Sequence, residues 1–469
     1  MNSRTIAICG NGASAALLLC ALARRIDSHR MSIMVIGTGP QCGAGIAYAT
    51  SNPHHLLNVP AARMSADPRD PRHFQDWLAG EGIGSAGFQE QFVPRALYAR
   101  YLDHVVRTTL RAAPRCKVHF ISGEVRSLIP IGPRWKVWHG DGGVFADVVV
   151  LATGNDMPAP IAPHYRGDIA GRIIDTPWDA PGIAPDEDVL ILGSGLTAVD
   201  TVISLSDAGH RGGIHLLSRR GLLPARHVPP DTRHTLPAPY PKTAREILVA
   251  MRRALGRHPA PEEWQGLMDN LRTRWPQIWQ DLPLCEKQRF LRHGATHWGI
   301  HRHRLAPQVA DRIAAAMTRN VRILKGRLGG LARDGAGRLA ATILYRGQSH
   351  RLGIDRVVNC TGPNSDPYKS QALLIENIVA SRLARRGPAH LGLEIDARNR
   401  VIDRDGLAQP ALFAIGALTR DRWWEITAIP EISRQAVEIA GHIAQQLRES
   451  ERPGAEQLSA RALPREWPL

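Results

Sequence analysis

The chain of 469 residues carries a formal net charge of +16 at pH 7, and only six of its 59 basic residues are lysines (117, 136, 242, 287, 325 and 369). That length can bury two large cores, and no stretch approaches the roughly 20 continuous apolar residues of a membrane span. Six scattered cysteines (9, 20, 42, 116, 285 and 360), with no C-x-x-C and no short His/Cys spacing, argue against a disulfide framework, a zinc site and a dithiol reductase.

The first stretch, Thr5–Leu22, reads TIAICGNGASAALLLCAL. Apolar Ile6, Ala7, Ile8 and Cys9 suit a buried parallel strand, and Gly10, Gly12 and Ala15 follow at G-x-G-x-x-A spacing before a helix of small residues. This is the turn that places a pyrophosphate on a helix N-terminus: the first glycine makes the turn, the second admits the phosphate, and the small third residue lets helix and strand pack. The apolar run Ala15–Ala23 after Arg4 imitates a secretion signal, but a strand and the Gly-Asn-Gly turn precede it, so a cytoplasmic protein is expected. The next strand, Ser32–Ile36, ends in Gly37 and Thr38, without the acid that ordinarily holds a ribose hydroxyl. Gly43–Met64 reads as an irregular loop, in which Asn58 is a candidate for hydrogen bonding to a ring system or a plain turn residue. Helices are predicted at Phe74–Ala79 and Arg95–Val106. Strands are predicted at Val118–Phe120, Gly123–Pro130, Trp135–Trp138 and Val144–Leu151, the last running into Ala152, Thr153 and Gly154.

Asn155–Pro185, rich in Pro and Gly, reads as a domain crossing, after which the opening motif recurs at Asp188–Leu205 with Gly193, Gly195 and Ala198 in the same spacing. The following strand, Gly213–Leu217, ends in Ser218, Arg219 and Arg220. Two arginines where an acid would read the 2′-hydroxyl of NADH favour the 2′-phosphate of NADPH. Leu222–Val309 interrupts this unit with predicted helices Ala244–Leu255 and Glu262–Trp275 and a cluster of His293, His297, Trp298, His301 and His303. With no acid or cysteine at ligand spacing, the cluster reads as a polar lid or surface, and Arg302 and Arg304 are candidates to meet an anionic substrate or cofactor phosphates. Strands Val321–Lys325, Leu339–Tyr345 and Arg356–Asn359 follow, and Asn359–Gly362 echoes Ala152–Gly154. A last strand, Ala411–Ile415, reaches Gly416 and leads through Trp423–Ile432 into a helix Ile432–Arg448, with Pro430 near its start. That helix N-terminus suits an electron-rich ring carbonyl.

Taken together, GAGIAY, LLNVPAARM, GSGLTAVD, SRRGLLP, HRHRLAP and WWEITAIPEI resemble the bacterial FAD/NAD(P)-binding family of two-dinucleotide flavoproteins. The fold this implies is α/β, with two Rossmann-like three-layer dinucleotide-binding domains and the NAD(P)H domain inserted in a split FAD domain. The FAD domain would span 1–155 and 353–448, and the NAD(P)H domain 186–352 with a helical insert at 222–309. A polar tail would follow at 449–469. By the resemblance Gly10, Gly12, Ser14, Asn58 and Met64 would lie along FAD, with Gly416, Thr427 and Ile429 near its ring end. Gly193, Gly195, Thr197, Arg219 and Arg220 would carry NADPH, with NADH possible. Gly154 and Gly362 join the cofactor-binding set from the repeated turns.

The resemblance extends to flavin monooxygenases that hydroxylate urate or the amine of aspartate. It implies an FAD-dependent monooxygenase acting on a small polar or anionic metabolite through a flavin C4a-hydroperoxide, urate being the first candidate. An NADPH-dependent flavin reductase or electron-transfer flavoprotein and a non-catalytic flavin-binding regulator are the alternatives. The expected partners are a small-molecule substrate and molecular oxygen; neither nucleic acid nor a metal is expected, and no catalytic residue or oligomeric state is read from the sequence. The F-x-G-x-x-x-H fingerprint of amine- and ketone-oxidising monooxygenases survives only as Tyr165 and Gly167, with Gly171 where His would stand.

Overall fold

A computed structural model describes residues 4–26, 31–39, 41–83, 91–165, 168–179, 182–236, 238–335 and 337–449. Gly167 and the expected tail beyond Glu449 lie outside the described residues.

Two parallel sheets organise the chain. The first contains β1 (Arg4–Cys9), β2 (Met31–Gly37), β3 (Lys117–Ser122), β7 (Val148–Leu151), β16 (Arg400–Ile402) and β17 (Ala408–Ala414), in the order β16-β17-β7-β1-β2-β3. Only β16 runs antiparallel to its neighbour. The second contains β8 (Ile173–Ile174), β9 (Val189–Leu192), β10 (Ile214–Ser218), β11 (Val321–Lys325) and β15 (Arg356–Asn359), in the order β11-β10-β9-β15-β8. Along the chain an antiparallel meander sits between β3 and β7 of the first sheet and between β11 and β15 of the second. In the first it is β4 (Val125–Ile131), β5 (Arg134–His139) and β6 (Gly142–Ala146); in the second, β12 (Arg327–Arg333), β13 (Leu339–Tyr345) and β14 (Gln348–Ile354). The two units therefore repeat one plan, and the second lies between parts of the first along the chain.

Strand alternation builds three layers in each unit. In β1, Ile6 and Ile8 face a core with α1 (Ala13–Arg25), α3 (Arg95–Ala112) and α11 (Ile429–Glu449), while Ala7 and Cys9 face β4 to β6 and α10 (Leu373–Ala380). In β9, Val189 and Ile191 pack with α4 (Leu196–Asp207) and α9 (Pro307–Arg319), and Leu190 and Leu192 pack on β12 to β14. The short α2 (His73–Gly80) caps the first core with Phe74 and Leu78. The remaining helices, α5 (Ala244–Leu255), α6 (Pro261–Asp281), α7 (Leu284–His293) and α8 (Ala295–Arg302), surround a separate aromatic core of Trp275, Trp279, Phe290 and Trp298, which Trp424 completes from the first domain.

Three expectations need correction. The single strand Val144–Leu151 is two strands in different sheets, β6 and β7. Asp147 makes the break, its N–H bonding the Thr5 carbonyl (2.8 Å) and its carboxylate accepting the Thr5 N–H (2.7 Å). The second sheet also reaches beyond 186–352: β8 lies inside the expected crossing and β15 beyond residue 353, because both pair in register with the central strands. Finally, α11 starts at Ile429 rather than Ile432, since Pro430 in its first turn costs no hydrogen bond.

Candidate functional site

The two glycine turns share one geometry. Gly10 (φ 122°) and Gly193 (φ 117°) both adopt a backbone conformation that side chains rarely tolerate. A Cβ on Gly10 would lie 2.3 Å from the Ala152 carbonyl oxygen, and one on Gly193 would lie 2.1 Å from that of Cys360. The Gly10 N–H bonds Ile36 (2.7 Å), and the Gly193 N–H bonds Leu217 (2.8 Å). Gly12 and Gly195 then cap α1 and α4 with extended backbone, without a side-chain cap and without an acid in the first helical turn. Each helix thus presents its N-terminal dipole and orphan N–H groups uncompensated, the arrangement that accepts a pyrophosphate. Open space surrounds Gly195, Gly154 (φ 74°) and Gly362 (φ 91°). The cradles therefore fit FAD and NADPH.

The residues expected along FAD divide. Ser14 is buried and meets Gly416 (φ 72°), where a Cβ would lie 2.8 Å from Ser14 Oγ. The end of β17 and the start of α1 therefore close on one point. Thr427 is exposed just before α11, whereas the Ile429 side chain is buried, leaving only its backbone to face a ligand. Asn58 is half-buried in the loop and makes no side-chain hydrogen bond among the described residues. Met64 lies in the first core, and its carbonyl accepts the Tyr98 hydroxyl (2.9 Å), so its packing is structural.

Where β2 lacks the ribose-binding acid, the sequence offers no clue to what replaces it. The structure places Asn11 there: its Nδ2 donates to the Gly39 carbonyl (2.7 Å), and a Cβ on Gly37 would collide with the Asn11 side chain at 2.7 Å. Gly45, from the GAGIAY stretch, approaches so closely that its own Cβ would stand 3.2 Å from the Gly12 Cα.

In the second unit Thr197 sits half-buried in the first turn of α4. Arg219 is exposed, with no ion pair or hydrogen bond among the described residues, and is free to meet a phosphate. Arg220 is held by the insert: its Nη1 pairs with His297 Nε2 (3.2 Å) and its Nη2 donates to the His293 carbonyl (3.3 Å). Partial burial, then Arg220 and His301, push the His297 ring below its ordinary range. His293 ends α7 while His297 and His301 belong to α8, and no metal-binding group occurs among the described residues.

Arg302 and Arg304, expected as candidates to meet an anionic ligand, are both paired with carboxylates inside the protein, although Arg302 Nη2 is buried without a hydrogen-bond partner. Arg302 Nε donates to Glu425 (2.8 Å), and Arg304 pairs with Asp269 and donates to Gln265 (2.6 Å). Asp269 also holds Arg63 (2.6 Å), and Arg272 forms a two-pronged pair with Glu431. The Arg302–Glu425, Arg63–Asp269 and Arg272–Glu431 pairs fasten the insert to the first domain, while the Arg304 contacts lie within the insert.

A cavity of about 170 Å³ opens where the corresponding loops of the two units meet. Its walls include Thr153–Met157 after β7, Asn364–Pro367 after β15, and Ala417, Leu418 and Arg420 after Gly416. Sequence reasoning singled out Thr153 and Gly154 but missed Arg420, which lies in no recognisable motif.

Residues 7–156 match the family model described as FAD-NAD(P)-binding. No curated protein matches the chain. Among solved structures, it is similar to an ornithine N-hydroxylase from Kutzneria sp. 744 with reduced FAD, NADP+ and L-ornithine (13% identity, 96% of this chain, 100% of that chain, TM-score 0.64). It is also similar to L-lysine 6-monooxygenase from Pseudomonas syringae (18% identity, 96% and 100% covered, TM-score 0.62). A third similar structure is the FAD-bound cadaverine monooxygenase of desferrioxamine biosynthesis from Erwinia amylovora (14% identity, 100% of both chains, TM-score 0.61). At these identities the likeness is one of fold: the chain has the two-dinucleotide fold of these structures, and the match to the FAD-NAD(P)-binding model falls on its first part. No helix among the described residues is long and apolar enough to cross a membrane.

Proposed function

We propose that this chain is an FAD-dependent, NADPH-consuming monooxygenase that hydroxylates a small polar or anionic metabolite in the cytoplasm. The observation that carries the reading is the matched pair of uncompensated glycine cradles, together with one cavity walled by the corresponding loops after β7 and β15 of the two units. In this reading the first sheet with α11 holds FAD, through Gly10, Gly12 and Ser14 toward its phosphates; Gly416, expected near the ring end, stands beside Ser14 and joins them, and Thr427 and the Ile429 backbone face the ring. The second sheet holds NADPH through Gly193, Gly195, Thr197 and Arg219. FAD, when bound, supplies hydride acceptance and oxygen activation, while the protein supplies position and exclusion of water.

A dithiol reductase is disfavoured because the sequence has no C-x-x-C, and Cys9, Cys20, Cys116 and Cys360 are buried. The solved structures of similar fold include enzymes named for oxidising ornithine, lysine and cadaverine. Amines therefore join urate as candidate substrates. The test is NADPH consumption by the FAD-loaded protein under labelled oxygen with urate, aspartate, ornithine, lysine and cadaverine, while hydrogen peroxide is followed. A substrate that speeds consumption, lowers peroxide per NADPH and gains labelled oxygen supports the reading. NADPH oxidation that proceeds equally well without oxygen, onto an added electron acceptor, replaces it with a reductase.

A further inference from the structure

Arg420 differs from the other arginines of the domain interface. Arg302, Arg304, Arg272 and Arg63 each hold a carboxylate. Arg420 has no carboxylate within ion-pair distance among the described residues. Its Nη1 reaches only the Ser365 hydroxyl (3.2 Å), its guanidinium stacks over Trp424 (5.0 Å), and its buried Nε has no hydrogen-bond partner. The adjacent acid, Asp421, accepts the Ala389 (2.8 Å) and Leu391 (3.2 Å) N–H groups and makes no ion pair with Arg420, and Glu425 is already occupied by Arg302 Nε and Trp298 Nε1 (2.6 Å). Burial accordingly pushes the Arg420 guanidinium below its ordinary range, with Glu425 only partly opposing this. A desolvated cation without its counter-charge is costly unless a ligand completes it.

The place where that ligand would sit is the cavity, since Arg420 forms part of its wall. Of the two acids on the same wall, Asp366 is paired with Arg386 (3.0 Å). Asp156 accepts from the Met157 N–H (2.8 Å) and the Asn364 amide (3.1 Å). Neither neutralises Arg420, and the charge of Asp156 disfavours a ligand with a second negative group. The volume, about 170 Å³, suits a small metabolite. The planar guanidinium, set over the Trp424 ring (5.0 Å to its centre), offers a donor fork that suits a planar two-oxygen acceptor.

We infer that Arg420 is the substrate-anchoring residue of this cavity and that it takes the carboxylate of a small monocarboxylate ligand. The assignment rests on the monooxygenase reading for the word substrate, but the binding site itself does not require that reading. Compounds that share a skeleton and differ only in a carboxylate, such as lysine and cadaverine, would then be distinguished at this residue.

The experiment uses the full-length, FAD-loaded protein without NADPH, so its outcome is separate from that of the oxygenation assay. Acetate and benzoate are titrated against acetamide and benzamide, with inorganic phosphate as a further arm. Binding is read from the flavin absorbance spectrum and by calorimetry. The expected result is saturable binding of the carboxylates, at least tenfold weaker for the amides and for phosphate. Arg420→Met should weaken carboxylate binding about tenfold or more, and Arg420→Lys should restore part of it. Unchanged FAD content and melting temperature in Arg420→Lys show that the fold is intact. Equal carboxylate binding to wild type and Arg420→Met overturns the inference, as does failure of the wild type to prefer carboxylate to amide. Preferential phosphate binding, or loss of FAD from Arg420→Lys, also overturns it by assigning the residue to a cofactor.

Discussion

Arg302 donates its Nε to the Glu425 carboxylate at 2.8 Å with both side chains almost wholly buried (4% and 3% exposed), joining the inserted helices to the segment that leads into α11. Burial by itself would raise the Glu425 carboxyl, but Arg302, His303 and the Trp298 hydrogen bond outweigh that and hold it below its usual range. Removing one partner strands the other charge in the interior. Glu425→Gln is therefore expected to destabilise the protein by about 3–5 kcal/mol. The paired change Arg302→Met with Glu425→Leu should cost clearly less than the sum of the two single changes. Urea unfolding of wild type, Glu425→Gln, the two single changes of the cycle and the double variant checks this, and additive losses in the cycle would show that the pair is not coupled.

Gly10 and Gly193 provide a test that separates the two cofactors. Alanine at either position adds a methyl group against a carbonyl oxygen, that of Ala152 or Cys360, in a backbone conformation unfavourable to any side chain. Gly10→Ala should lose most bound FAD as purified. Gly193→Ala should keep FAD and lose NADPH affinity by at least about tenfold, taking a displaced phosphate contact at roughly 1.5 kcal/mol or more. Flavin content and NADP+ titration read the two effects, and loss of FAD from both variants would reverse the assignment of the second cradle.

The duplicated plan was legible because it rests on local rules. Alternating apolar strands, positive-φ glycines and small helix-facing residues leave marks at fixed spacing, and both units carry them. The fates of the interface arginines were not legible. HRHRLAP reads as a run of free cations, yet Arg302 and Arg304 meet Glu425 and Asp269 from distant parts of the chain, while Arg420 finds no carboxylate among the described residues. Pairing across 123 residues leaves no local pattern. Asn11 was equally invisible, because a residue in the variable position of the glycine turn acquires meaning only when Gly37 leaves room for its amide.

Arg219 and Arg220 were expected to act alike, but their environments differ. Arg219 is exposed without a partner among the described residues, whereas Arg220 is occupied by His297 and the His293 carbonyl. Arg219→Ala is expected to weaken NADPH binding about tenfold or more, the worth of one charge-assisted contact, and to leave NADH nearly unchanged. Arg220→Ala should have the smaller effect on that ratio and instead loosen the packing of α7 and α8. Affinities for both nucleotides, measured on the two variants, decide the matter, and equal weakening of NADPH and NADH by Arg219→Ala would sink the 2′-phosphate contact.

His303 gives the protein an acid-side weakness whose sign is fixed by its surroundings. Burial, followed by the Arg302 charge, pushes its ring down to about 4 despite the opposing Glu425. In the unfolded chain a histidine titrates near 6.5, so between about pH 6.5 and 4 the unfolded state binds the extra proton. Stability must therefore fall as pH drops through that window and stay level with respect to this group above it. His55, His210, His215 and His297 are pushed down as well and contribute slopes of the same sign. The specific expectation is a difference: His303→Gln should lower the pH dependence of unfolding free energy by up to one proton between pH 6.5 and 4, whatever it costs at neutral pH. Urea midpoints for both proteins across that range measure it, and parallel curves would mean that His303 is protonated, or accessible to protons, in the folded state.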